Sequence, residues 1–171
     1  FLVVWHDFRS GYSYDIYGAR ISTTGVVAEA SGIPISTASN AQSFPAVASD
    51  GSDFLVVWSD YRSSFNYDIY GSRVASSGNV LDSTGFPIST TTMSEINPAL
   101  AAGQSGDFLV TYQRIDTALF ATRVKTRLVA ENAPQTATSQ PVTTFEDIPL
   151  GIVLSGSDLE GQPLTYAVAS G

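Results

Sequence analysis

The sequence predicts an all-β protein, and three observations carry that expectation. A block of about 53 residues is written nearly three times. Within each copy, short apolar, aromatic and β-branched runs alternate with Gly, Pro and Asp-Gly turn signals. No stretch sustains the apolar period of an amphipathic helix.

The repeat is read directly from the residues. Phe1-Leu-Val-Val-Trp5 recurs as Phe54-Leu-Val-Val-Trp58 and, altered, as Phe108-Leu-Val-Thr-Tyr112. Asp7-Phe-Arg9 returns as Asp60-Tyr-Arg62, Tyr14-Asp-Ile-Tyr-Gly-Ala-Arg20 as Tyr67-Asp-Ile-Tyr-Gly-Ser-Arg73, and Gly32-Ile-Pro-Ile-Ser-Thr37 as Gly85-Phe-Pro-Ile-Ser-Thr90. The third copy decays. Aligning Arg123 with Arg20 and Arg73 implies that its loop has lost four residues, because Phe108 to Arg123 spans 15 positions where Phe1 to Arg20 spans 19.

Each element of a unit follows from its residues. Pro45–Ser49, Phe54–Trp58, Asp68–Val74 and Val80–Ser89 read as four short strands, with Asp50-Gly51 turning between the first two and Ser77-Gly78-Asn79 between the last two. Four antiparallel strands in such a unit have the dimension of one propeller blade, whereas solenoid repeats of similar length are mostly helical. One complete blade and two partial ones fit within residues 1–128, an incomplete ring, since closed propellers take at least about four blades.

Past Val124 the composition shifts to a Thr, Ser and Gln-rich stretch, so a second segment is expected over 129–171. Val142–Phe145, Ile152–Leu154 and Leu164–Val168 read as strands of a β-sandwich, in a segment much shorter than the roughly 100 residues of an immunoglobulin-like domain. Both ends of the chain read as cut from a longer protein.

Composition bounds the function classes. Sixteen acidic residues against eight basic ones give a net charge of −8, which disfavours nucleic acid, whose phosphates are bound by Lys and Arg. With no Cys, disulfides, thiolate catalysis and Cys-ligated metals are excluded. No apolar run approaches the roughly 20 residues of a membrane helix.

The Leu-Val-Val-Trp, Asp-x-Arg and Asp-Ile-Tyr-Gly-x-Arg elements over residues 1 to about 124 resemble the repeats of bacterial secreted β-propellers. In the second segment, Glu131-Asn-Ala-Pro134, Glu146-Asp-Ile-Pro149, Gly156-Ser-Asp-Leu-Glu-Gly161 and Leu164-Thr-Tyr166 are similar to bacterial cadherin-like, immunoglobulin-like repeats. That resemblance implies calcium held near Asn132, Glu146, Asp158 and Glu160, in keeping with the preference of Ca²⁺ for hard oxygen ligands. Glu131 and Glu160 depart from it, each standing where the family has Asp.

Among the candidate residues, Asp7, Arg9, Asp15 and Arg20, repeated as Asp60, Arg62, Asp68 and Arg73, read as structural ion pairs fastening each blade, because acids and bases recur in register and balance locally. Metal ligands or glycosidase carboxylates are the competing reading. His6, which stands where the second copy has Ser59, is a candidate ligand contact, as are Tyr12 and Phe65 in the loops after the Asp-x-Arg turn. Trp5 and Trp58 read as core. The expected function is that of a non-enzymatic part of a large extracellular or cell-surface bacterial protein, serving adhesion, matrix building or protein–protein interaction. Its partners are expected to be other domains of the same chain, another copy, or glycans. A carbohydrate-active enzyme and a glycan-binding propeller lectin are the alternatives.

Overall fold

The computed structural model describes residues 1–103, 106–130, 136–137 and 156–157. Among these every regular element is a strand. The chain divides into two compact units, Phe1–Val129 and Ala130–Gly171.

The first unit is built of antiparallel sheets in chain order. Sheet 1 contains β1 (Leu2–Asp7), β2 (Asp15–Arg20) and β3 (Ile33–Ser36). Sheet 2 contains β4 (Gln42–Ser49), β5 (Asp53–Asp60), β6 (Asp68–Ala75) and β7 (Phe86–Ser89), each strand paired with the next. Sheet 3 contains β8 (Glu95–Ala102), β9 (Phe108–Asp116) and β10 (Ala121–Val129). In the second unit, β11 (Thr136–Ala137) pairs antiparallel with β12 (Gly156–Ser157). The runs Val142–Phe145, Ile152–Leu154 and Leu164–Val168 lie outside the described residues.

Local chemistry explains the turns. Between β4 and β5, Asp50 Oδ1 accepts the backbone N–H groups of Ser52 and Asp53 at 2.8 and 2.9 Å, and Gly51 takes φ +103°, a conformation that favours glycine. The run expected to start at Val80 becomes a strand only at Phe86. Val80 contributes an isolated bridge to Val74, and the chain then turns so that the side chain of Asp82 faces back to Arg73.

Sheet 2 lies between its neighbours. On one face Val56, Trp58 and Val74 pack with Leu2, Ile16 and Ile35 of sheet 1. On the other, Leu55, Val57 and Ile69 pack with Phe108, Val110 and Tyr112 of sheet 3. Successive side chains of a strand point to opposite faces, so a strand covered on both sides must be apolar at consecutive positions. That requirement accounts for the unbroken Leu-Val-Val-Trp run, buried throughout in β5.

The junctions between sheets reproduce each other 53 residues apart. Gln42 N–H donates to Tyr14 O at 2.8 Å across the first, and Glu95 N–H donates to Tyr67 O at 2.7 Å across the second. Register shifts interrupt β4 after Ser43 and β8 after Ile96. Each shift contains a residue at φ +54°, Phe44 or Asn97, followed by a proline that has no N–H to leave unpaired.

The third copy differs from the expected alignment. Register places Leu128 opposite Leu109, as Arg73 lies opposite Leu55, so Leu128 rather than Arg123 occupies the position of Arg73. β9 instead runs on to Asp116 and returns through the short turn before Ala121, with Arg123 paired to Asp116 at 3.8 Å. No four residues are lost: a longer hairpin replaces the loop that carries the Asp-x-Arg element.

Candidate functional site

The first two copies each carry a Trp-Asp-Arg cluster at the end of the second repeat strand. In sheet 2 the Trp58 indole N–H donates to Asp60 Oδ2 at 2.7 Å. Arg62 donates through its backbone N–H and Nε to Asp60 Oδ1 at 2.8 and 2.9 Å, and through Nη2 to Oδ2 at 2.7 Å. The same guanidinium donates to Thr84 O at 2.8 Å and lies 3.9 Å over the Tyr70 ring. The carboxylate is thus surrounded by donors, and the arginine is fixed by a fork and a ring face together.

Trp5, Asp7, Arg9 and Tyr17 repeat the arrangement in sheet 1. The indole-to-carboxylate bond is 3.0 Å, Arg9 Nη2 lies 2.5 Å from Asp7 Oδ2, and the guanidinium is 3.9 Å from the Tyr17 centroid. The bonds from Arg9 and Trp5 hold the Asp7 carboxyl well below the usual carboxylate range. Asp7 is thus paired with Arg9, and Asp60 with Arg62, each within its own copy. Behind each indole stands a glycine, Gly32 at φ +78° or Gly85 at φ +67°, where an added Cβ would come within 2.9 Å of the ring.

The remaining repeated charges are arranged differently from the expected pairs. Arg20 binds Glu29, with Nη2 to Oε1 at 2.5 Å and Nε to Oε1 at 2.8 Å, and Arg73 binds Asp82, with Nη2 to Oδ1 at 2.9 Å. Glu29 and Asp82 each accept the backbone N–H of their arginine as well, and the arginines hold both acids below their ordinary range. Sequence reasoning missed both partners, although an acid nine residues after the arginine in each copy was the available signal. Arg20 also reaches across to donate to Ser76 O, in the turn that follows β6, at 3.2 Å.

Asp15 and Asp68 are instead buried, and burial pushes both carboxyls up. Asp68 is raised further by Glu95 and accepts Asn66 Nδ2 at 3.1 Å. That amide also donates to Thr91 O and Met93 O at 2.8 and 3.1 Å. In the first junction the equivalent turn is held by Gln42 Nε2, which donates to Ser39 O and Asn40 O. Where Glu95 replaces Gln42 and its side chain has no N–H to give, Asn66 supplies the amide donor.

His6 lies between Tyr14 and Phe44, with ring centroids 4.9 and 5.9 Å away, and its Nδ1 accepts the Phe44 N–H at 3.4 Å. In the second junction Ser59 Oγ accepts the Asn97 N–H at 3.1 Å. Histidine and serine therefore do the same work, receiving the N–H of the positive-φ residue. This gives His6 a structural part in the junction.

Tyr12 and Phe65 occupy equivalent loop tips and are 93% and 90% exposed. Each tip is shaped alike: Ser10 Oγ donates to Ser13 O and Ser63 Oγ to Asn66 O, both at 3.0 Å, with Gly11 and Ser64 at positive φ. Among the described residues no group of three or more His, Cys, Asp or Glu side chains could hold a metal ion. Asn132, Glu146, Asp158 and Glu160 lie outside the described residues. Among the described residues no helix is long and apolar enough to cross a membrane.

The chain matches no protein-family model, no curated protein and no solved structure.

Proposed function

We propose that this chain is a non-enzymatic scaffold segment of a large extracellular or cell-surface bacterial protein, with its stacked sheets serving as β-propeller blades in adhesion or matrix building. The observation that carries the reading is the doubled junction: the same inter-sheet backbone bond and the same accepted N–H recur 53 residues apart. A repeat whose charged residues are spent on holding indoles and loops is built for regular stacking. Asp7 and Asp60, two of the four repeated acids for which a catalytic reading competes, are both engaged by a Trp and an Arg. Calcium at Asn132, Glu146, Asp158 and Glu160 belongs to the same reading and would stiffen the second unit by binding its folded form.

The test is retention of bacterial cells on a surface coated with the purified protein. Retention above that of an inert protein coat is expected. No retention, together with polysaccharide turnover by the full gene product, would overturn the scaffold reading.

A second reading, glycan binding, is favoured by the near-complete exposure of Tyr12 and Phe65, which contribute nothing to the core from repeat-equivalent positions. Flat aromatic faces suit the apolar faces of sugar rings. Binding on a glycan array, lost in Tyr12→Ala or Phe65→Ala, is the expected result of that reading.

A further inference from the structure

Each sheet of the first unit carries, at a loop tip, an aromatic ring standing almost wholly in solvent. Tyr12 lies between β1 and β2, Phe65 between β5 and β6, and Phe120 between β9 and β10, and they are 93%, 90% and 97% exposed. Phe120 stands where the third copy has replaced the Asp-x-Arg loop by a longer hairpin, yet the rebuilt turn again ends on an exposed ring. It does so at φ +49°, a conformation that Gly and Asn adopt more readily, whereas at the other tips the positive-φ residue, Gly11 or Ser64, directly precedes the ring. Phe65 belongs to the sheet that is covered on both faces, so the exposure persists where both neighbours are in place.

The three tips lie at one end of the stacked sheets. The start of β4 bridges the first two, since Gln42 N–H donates to Tyr14 O, just after Tyr12, and Ala41 O accepts the Tyr61 N–H, just before the second loop, both at 2.8 Å. The start of β8 bridges the second and third in the same way, through Glu95 N–H to Tyr67 O at 2.7 Å and Ile115 N–H to Ser94 O at 2.9 Å. Sheets packed face to face lie about 10 Å apart, so the rings recur at intervals of that order.

Separate rings are poorly matched to a folded protein, which covers a contiguous patch with an apolar core. They match a polymer that offers a flat apolar face at regular intervals, as sugar chains and single-stranded nucleic acids do. Charge separates the two. A phosphate-bearing strand needs a basic groove, whereas this chain has 16 acidic and 8 basic residues. The same imbalance disfavours acidic polysaccharides and anionic lipid surfaces.

We propose that Tyr12, Phe65 and Phe120 form one platform for an extended, uncharged polysaccharide that runs across all three sheets. This rests on the glycan-binding reading above and adds to it a third ring and a ligand long enough to span the stack. Affinity then grows with ligand length, because contacts after the first are made intramolecularly.

The test is affinity electrophoresis of the whole chain in gels containing soluble β-glucan, xyloglucan or galactomannan, with alginate and single-stranded DNA as acidic controls. Retardation by at least one neutral polymer and by neither control is expected. For oligomers cut from the bound polymer, calorimetry is expected to show affinity rising about tenfold or more from the disaccharide to the longest. Phe120→Ala is expected to weaken binding of the longest oligomer about three- to tenfold, the usual scale for one aromatic contact. Phe120→Asn removes the ring with a residue suited to positive φ, and replaces the Ala variant if circular dichroism shows lost strand content. Affinity that does not rise with length, or binding lost in Phe65→Ala but unchanged in both Phe120 variants, overturns the platform and leaves the glycan reading standing. Retardation by no neutral polymer, or by an acidic control instead, also overturns it, and the glycan array then judges the glycan reading by itself.

Discussion

β1 and β5 share the residues Leu-Val-Val-Trp, yet they sit in different surroundings. In β5 every residue from Leu55 to Asp60 is buried, whereas in β1 only Leu2 is, with Val3 and His6 exposed and Val4 and Trp5 half-buried. The hydrogen-bonded clusters at their ends are nearly the same, down to an arginine 3.9 Å over a tyrosine ring in each. Local sequence therefore builds the strand and its Trp-Asp-Arg cluster without help from a covering sheet. Burial is added by the neighbour. The two copies form an internal experiment in which residues are held constant and coverage is varied.

The largest expected effect tests that contrast directly. Trp58→Ala is expected to destabilise the first unit by about 3–5 kcal/mol, the usual loss for a buried Trp, and Trp5→Ala by about half as much. Urea denaturation followed by circular dichroism measures both. Equal losses would show that coverage by sheet 1 adds little to what the indole gains within its own sheet.

Next come the glycines behind the indoles. Gly85→Ala strains a backbone at φ +67° and drives a methyl group into a ring that sheet 1 holds in place, whereas Trp5 can shift when Gly32→Ala does the same. Both are expected to destabilise by about 1–3 kcal/mol, Gly85→Ala more. The same measurement ranks them, and the reverse order would break the comparison.

The pH dependence has a definite sign. Burial raises the Asp68 carboxyl, so the folded chain holds this proton more tightly than the unfolded chain, and its contribution to stability falls as pH rises above about 4, the ordinary carboxylate range. Asp68→Asn is therefore expected to raise the Tm at pH 7 and to leave it nearly unchanged at about pH 3, where both states are protonated. Asp15→Asn is expected to behave alike with a smaller shift, since Asp15 has no counterpart of Glu95 pushing it up. A Tm gain at low pH alone would reverse the sign and refute the account.

The smallest effect concerns the accepted N–H. His6→Ser restores the acceptor used by Ser59 and is expected to change stability by less than about 0.5 kcal/mol, whereas Ser59→Ala leaves the Asn97 N–H without that acceptor and is expected to cost about 1 kcal/mol. A large loss in His6→Ser would mean that the contacts of the imidazole with Tyr14 and Phe44 matter more than its Nδ1.

Strands and turns were legible wherever the signal was local. Asp50-Gly51 turned as its residue types require, and the copied Leu-Val-Val-Trp runs became paired strands. The partners of Arg20 and Arg73 were not legible in the same way. Asp15 and Asp68 share the motif with these arginines, but neighbouring side chains of a strand alternate between faces, and it is the chain beyond the next turn that brings Glu29 and Asp82 back beside them. The third copy misled for a related reason. Arg123 matched by residue type, whereas pairing partners are set by the register of the whole hairpin, which put Leu128 in that place.

Residue order by itself determined that this chain forms strands, that they come in copies, and that each early copy carries an indole, a carboxylate and a guanidinium close together. Those outcomes depend on contacts a few residues apart. Tertiary structure alone decided which apolar faces lie covered, which acids are buried, and that a histidine and a serine accept the N–H of equivalent residues. Each of these depends on what a neighbouring sheet places opposite a side chain, and short-range chemistry does not carry that information.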